Sequence, residues 1–178
     1  YKIVTGIAKI VNTKMNGSFY DHIKDMNTDQ EIFKTLISNF NNFEDTRTYN
    51  EKTIYFYKLA QLLTSDILHV IEIKEKRNVN YSNLLGCADY KIPQVMQSLG
   101  ILEYDTKLLS LLETKTEIEE NSEYEVEIRA SMLVVINYIY EQINKSIDRI
   151  DINDFIWSKS QDKTKKYKPY HLTRTTSY

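Results

Sequence analysis

Residues Gly86–Gly100, GCADYKIPQVMQSLG, set an acid, a base, an aromatic ring and a proline beside an apolar run. Ile92, Val95, Met96 and Leu99 recur at helical spacing, so a helix burying that face is expected. Pro93 lacks a backbone N–H and biases Ile92 away from helical geometry. That puts the expected helix start at Pro93 and leaves Asp89 and Lys91 in the loop before it. Leu84 and Leu85 are apolar on the other side. Charges flanked in this way are held against a core, where they have either partners or a task.

Downstream, Ile101–Tyr104 reads as short and extended, and Asp105 as the N-cap of a helix carrying Leu108, Leu109, Leu111 and Leu112. Ser122 and Glu125 form a capping box opening a long helix with Val126, Ala130, Leu133, Ile136, Tyr140 and Ile143 inward. Arg129, early in that helix, opposes the macrodipole and asks for an anion, either a local acid such as Glu125 or a ligand. Asp151–Trp157, DINDFIW, reads as a short helix docked through Phe155, Ile156 and Trp157. Lys159–Lys168 is basic, and Tyr170–Tyr178 is expected either to pair as a short strand near the C-terminus or to lie across a pocket mouth.

Upstream, Thr53–Glu72 is apolar on most sides and reads as a largely buried helix. One polar line crosses it: Lys58, Gln61, Ser65 and His69 are spaced to share a helix face. The line is either a solvated stripe or a row that brings Lys58 to the cleft of Asp89. Asn41–Lys52 is asparagine-rich and reads as a surface loop, and Ser82 or Asn83 as the cap of a short helix leading to Gly86. Thr28 and Glu31 make a capping box for a core helix with Ile32, Phe33, Leu36, Ile37 and Phe40 on one side. Tyr1–Lys14 has isoleucines at helical spacing and is read as a helix.

The 178 residues suffice for one domain with a core, and nothing in them reads as a linker between two. With 23 Lys and Arg against 25 Asp and Glu, the charge of -2 creates no global field for nucleic acid or an acidic membrane. One cysteine excludes an internal disulfide framework, and no apolar run has the length of a membrane span. The expectation is a soluble, cytoplasmic protein. Only 4 glycines and 2 prolines punctuate the chain, which favours helices.

Several chemistries lack their residues. There is no phosphate-cradling glycine loop, no serine nucleophile elbow, and no Cys or His cluster at metal spacing, so neither metal nor cofactor is expected. What remains is carboxylates with basic helpers: Asp89, Glu127 and Asp154 against Lys58, Lys91, Arg129, His171 and Arg174. Such a set suits cleavage through a cationic transition state on an anionic substrate. It equally suits an internal ion-pair network.

The runs Gly17–Phe19, Phe56–Gln61 (FYKLAQ), Ala88–Val95 (ADYKIPQV), Leu99–Gly100, Glu125–Arg129 (EVEIR), Asp154–Trp157 (DFIW) and His171–Tyr178 resemble the queuosine salvage protein family. The resemblance implies a mainly α, single helical domain over residues 1–178, similar in fold to the helix-hairpin-helix DNA glycosylases. It implies hydrolysis of the N-glycosidic bond of queuosine 5'-monophosphate, a small-molecule nucleotide, with release of queuine for salvage into tRNA and no direct nucleic-acid or membrane partner. Asp89 matches the family's catalytic aspartate and Lys58 a lysine of the same site. As members of matched runs, Tyr90, Lys91, Glu127, Arg129, Asp154, Trp157, His171 and Arg174 are expected around the substrate. Leu59, Cys87 and Leu172 depart from the family's commoner residues, and Lys91 keeps an arginine's charge without its bidentate fork. The resemblance further implies an N-terminal segment before Tyr1, roughly a third to half of a chain, bearing aromatic residues of the base pocket. The competing readings are a catalytically incomplete helical domain that binds a nucleotide or a protein, and a helix-hairpin-helix nucleic-acid module, which the near-neutral charge disfavours.

Overall fold

Short polar side chains set where the helices begin in this computed structural model, which describes residues 1–178. Ser18 accepts the Asp21 amide and opens α2 (Phe19–Ile23), after α1 (Lys2–Lys14). Thr28 and Glu31 form the expected reciprocal capping box at α3 (Asp29–Asn39), whose Ile32 and Leu36 are fully buried. Asp105 caps α6 (Thr106–Glu113) through the Leu108 amide. Ser122 caps α7 (Glu123–Gln142), and Asp148 with Asp151 boxes the start of α8 (Arg149–Ser160). The Glu125 side chain does not close a box at α7. It turns inward, to ion pairs described below.

The fold is mainly α, with one short strand pair, and the pair lies where a loop and the start of a helix were read. Strands β1 (Thr46–Tyr49) and β2 (Lys52–Tyr55) are antiparallel, with Thr46 opposite Tyr55 and Tyr49 opposite Lys52. Asn50 and Glu51 both have positive φ, 47° and 62°, the geometry of a two-residue hairpin turn whose twist matches that of its strands. Thr46, Thr48, Thr53, Ile54 and Tyr55 suit a pleated strand, but four residues per strand leave a two-residue period too little length to register. Helix α4 therefore runs Lys58–Glu75 rather than from Thr53. At the C-terminus the chain forms one isolated parallel bridge, Leu172 with Glu117, and no strand.

Helix α5 spans Lys91–Ser98, two residues ahead of the start expected at Pro93. Pro93 sits in its first turn, where an amide would have no intrahelical partner. No helix follows Ser82 or Asn83; there Asp29 Oδ2 accepts the Asn83 amide at 2.6 Å and ties the segment to the start of α3. Helix α8 docks through Ile150, Ile152, Asn153 and Ile156, while Phe155 and Trp157 face solvent, a correction to the expected docking face. The period of the buried positions runs from Ile152 to Ile156, and the two aromatics fall on either side of that stripe.

One core cluster joins α5, α7 and α8 through Ile92, Val95, Met96, Val126, Met132, Ile136, Ile152 and Ile156, with Phe56 and Ala88. A second joins α1, α3 and α4 through Met15, Ile32, Leu36, Leu68 and Ile71, with Phe40. Leu84, Cys87 and Ile150 form a further small cluster against Leu62 of α4. The loop that carries Asp89 thus runs beside helices from both sides of the molecule. No helix is long and apolar enough to cross a membrane.

Candidate functional site

Asp89 lies on a loop, Leu84–Tyr90, that three helices hold by side chains. From α4, Gln61 Oε1 accepts the Leu85 amide at 2.6 Å. From α8, Asn153 Oδ1 accepts the Cys87 amide at 2.8 Å. From α7, Arg129 Nε donates to the Ala88 carbonyl at 2.9 Å. Gly86 permits this course: its φ is +114°, and a Cβ there would stand 3.1 Å from Ile136 Cδ1 and 3.2 Å from Asn153 Oδ1. Gly86→Ala is therefore expected to cost about 1–3 kcal/mol in a urea melt, through backbone strain plus overpacking. An unchanged midpoint would mean the loop is not held by this geometry.

Asp89 is 6% exposed. Its Oδ1 accepts the amides of Lys91 at 2.9 Å and Ile92 at 3.0 Å, acting as the cap of α5, whereas Oδ2 receives no hydrogen bond from the protein. Burial raises its pKa above the ordinary carboxylate range, opposed by the Ile92 amide, the charge of Lys58, the Lys91 amide and the charge of Lys91. Lys58, the first residue of α4, is half-buried and in no ion pair. Its ammonium acts on both Asp89 and the buried Cys87 thiol, which burial pushes up to about 12. The Lys91 ammonium stands 4.3 Å from the Tyr170 ring centroid and 5.4 Å from that of Tyr90, the two rings being 4.8 Å apart. Tyr170, in the C-terminal segment, is thus a neighbour of Lys91 and Tyr90.

The other expected residues divide. Asp154 is exposed as a whole residue, yet its carboxyl group is close enough to the protein for burial to raise its pKa, against the Asn153 amide at 2.9 Å and His69. Its charge also reaches Cys87, on the Asp89 loop. Glu127 belongs elsewhere: its Oε1 accepts the Tyr49 hydroxyl at 2.6 Å, beside an apolar groove of about 400 Å³ between the hairpin and α7 whose lining does not include Asp89. Trp157 is 45% exposed, and the only ion-pair partner of Arg174 is Glu117 at 3.8 Å. His171 is buried, with its pKa lowered to about 4 by burial and by Arg129, and its Nε2 is 3.2 Å from the Tyr178 hydroxyl.

Arg129 is completely buried in an ion-pair network. Its Nη1 donates to Asp45 Oδ1 at 3.0 Å and Glu125 Oε1 at 2.9 Å, and its Nη2 to Asp45 Oδ2 at 2.5 Å. Arg47 joins the same acids, at 3.1 Å from Glu125 Oε2 and 3.4 Å from Asp45 Oδ1, and reaches Glu120 at 2.7 Å. The Arg129 guanidinium is stacked between Phe56 and Tyr178, 4.0 and 4.2 Å from their ring centroids. Both readings of the charged residues therefore have members here: Arg129 and Glu125 pair internally, while Lys58 and Asp89 stay outside every ion pair. The demand of Arg129 for an anion is the sequence signal for Asp45; nothing in the sequence singles out Arg47 or Asn153. No three His, Cys, Asp or Glu side chains gather in a way that could hold a metal ion.

Comparison with known proteins matches residues 1–178 to the family described as Queuosine salvage protein. Similar proteins include one from Dictyostelium discoideum, 26% identical over 99% of this chain and 57% of its own length. Others are from Sphaerobacter thermophilus, 29% identical over 99% of this chain and 56% of its own, and Bos taurus, 29% identical over 100% and 57%. Each of the three is named Queuosine 5'-phosphate N-glycosylase/hydrolase, and the chain spans little more than half of their length. With a match that runs from its first residue to its last, the chain belongs to the queuosine salvage protein family.

Proposed function

We propose that this chain carries the catalytic centre of an N-glycosidase that cleaves queuosine 5'-monophosphate and frees queuine for reuse in tRNA. The observation that supports this most is the state of Asp89: a buried carboxylate with one oxygen committed to backbone amides, the other without a protein donor, and the unpaired Lys58 acting on it. As the C1'–N bond breaks, the electron pair leaves with the base and the ribosyl ring becomes oxocarbenium-like. Asp89 Oδ2 faces that cation or accepts a proton from the water whose oxygen bonds to C1'. The leaving base is a 7-deazapurine, with carbon where a purine offers N7 to an acid, so stabilising the sugar cation carries more of the barrier. Lys58 favours the ionised form of Asp89, and Lys58 and Lys91 together supply positive charge toward the 5'-phosphate. Residues 1–178 act as a single domain in this reading, and no nucleic acid or membrane contact is invoked.

The test is incubation of the purified chain with queuosine 5'-monophosphate and detection of free queuine by mass spectrometry. Release is expected, with kcat/KM falling by about 100-fold or more in Lys58→Met. No release at any protein concentration would sink the assignment and favour a binding domain.

A further inference from the structure

Lys58 and Asp89 belong to separate segments, one at the start of α4 and the other in the loop before α5, and no hydrogen bond joins them directly. Their backbones are nevertheless connected through two buried side chains. The Lys58 amide donates to Asp45 Oδ2 at 3.0 Å. Asp45 receives both terminal nitrogens of Arg129, whose third donor, Nε, holds the Ala88 carbonyl one peptide from Asp89. The guanidinium is planar and its donors have a fixed fork, so the distance from the Lys58 amide to the Ala88 carbonyl is set by a rigid group rather than by flexible chain.

Asp45 also fixes the residues just before Lys58. Its carbonyl accepts the amides of Phe56 at 2.9 Å and Tyr57 at 3.2 Å. Tyr57 is left-handed, with φ 49°, and α4 has no side-chain cap of its own at that residue. Asp45, distant in sequence, supplies the acceptor that a helix start needs. Buried ion pairs stabilise no better than well-packed apolar residues of the same volume, so the retention of charge here calls for a role that apolar packing would not fill.

We propose that Asp45, through Arg129, is the positioning residue that fixes Lys58 with respect to Asp89. The proposal rests on the glycosidase reading above for its purpose, but its geometry can be tested without turnover. The charged or titratable groups around Asp89 are Lys58 from α4, Lys91 from α5, Cys87 in its own loop and, through Cys87, Asp154 from α8. Titrating the Asp89 carboxyl by 13C NMR in the full chain reads the closeness of Lys58, because that charge holds the carboxyl down. Asp45→Asn is expected to raise the Asp89 pKa by about one unit. Lys58→Met is expected to raise it similarly, and the double variant no further than Lys58→Met alone, since both remove the same interaction.

The sign separates this from a direct charge effect. Loss of a negative charge at position 45, or exposure of the Arg129 charge, would lower the Asp89 pKa. Asp105→Ala, which removes the cap of the distant α6, serves as a variant of reduced stability and is expected to leave the titration unchanged. Should Asp45→Asn fail to fold, Asp45→Glu keeps the charge but moves it by one methylene, and the same upward shift is expected. An unchanged or lowered Asp89 pKa in the folded variant, or additive shifts in the double variant, overturns the proposal. Absence of queuine release with the predicted NMR shifts would instead count against the glycosidase and leave the positioning intact.

Discussion

Asp89→Asn is expected to reduce queuine release by about 1000-fold or more while leaving the protein as stable as the parent above neutral pH, or more so. Asparagine keeps an oxygen for the amides of Lys91 and Ile92, so the start of α5 survives. What it removes is the negative charge that the proposed reading sets opposite the developing sugar cation. The stability side follows from the raised pKa of Asp89 in the folded protein. The folded state holds that proton more tightly than the unfolded chain does. Its contribution is therefore most favourable below the unfolded carboxylate pKa, about 4, and is lost as pH rises through the raised folded value. Asparagine has no such dependence. Urea midpoints of the two proteins, compared from pH 4 to 7, are expected to move in favour of the variant as pH rises, with queuine release measured alongside. Undiminished release would remove Asp89 from the mechanism.

Arg129→Ala is expected to have the largest effect on stability, about 3–5 kcal/mol, the range for removing one member of a buried pair. Against a typical total of about 5–15 kcal/mol, this leaves the chain close to unfolding at room temperature. Asp45 and Glu125 would keep only Arg47 as a nearby cation, with both carboxylates out of water. The Ala88 carbonyl would lose its donor, and the rings of Phe56 and Tyr178 would face an empty space. Equilibrium urea denaturation measures the loss. Removing the acids along with the arginine, as in Asp45→Asn with Arg129→Met, is expected to cost less than the sum of the single changes, because fewer charges are left unpaired. A loss below about 1 kcal/mol for Arg129→Ala would show the network to be worth no more than a surface pair.

Much of the architecture can be read from local chemistry. The starts of α2, α3, α6 and α7 follow from a hydroxyl or carboxylate that accepts an amide two or three residues on, and such bonds need only neighbours in sequence. The apolar periodicity of α3 likewise predicts which face is buried, whereas in α7 it finds Val126 and Ile136 but misses the buried Ile128 and Met132. Asp89 could be singled out for the same kind of reason: a charge between Leu84 and the Ile92–Met96 run has to be close to a core whatever the topology. The hairpin escaped because its strands are short and its apolar residues continue into those of α4 without a break.

Sequence alone thus established the helical class, the capped starts of α3, α6 and α7 and the family, and it placed Asp89 and Lys58 in charged positions that call for explanation. It could not say which of the remaining charges pair with one another. Whether Arg129 meets Asp45 or a ligand, and whether Glu127 opens beside Asp89 or beside Tyr49, depends on contacts between residues remote in the chain, and those exist only once α7 has packed against the hairpin and the Asp89 loop. The reason is physical: a cap or an amphipathic stripe is an interaction of range four residues, whereas the energy of a charge is set by every group within several ångströms and by how much water the assembled fold excludes.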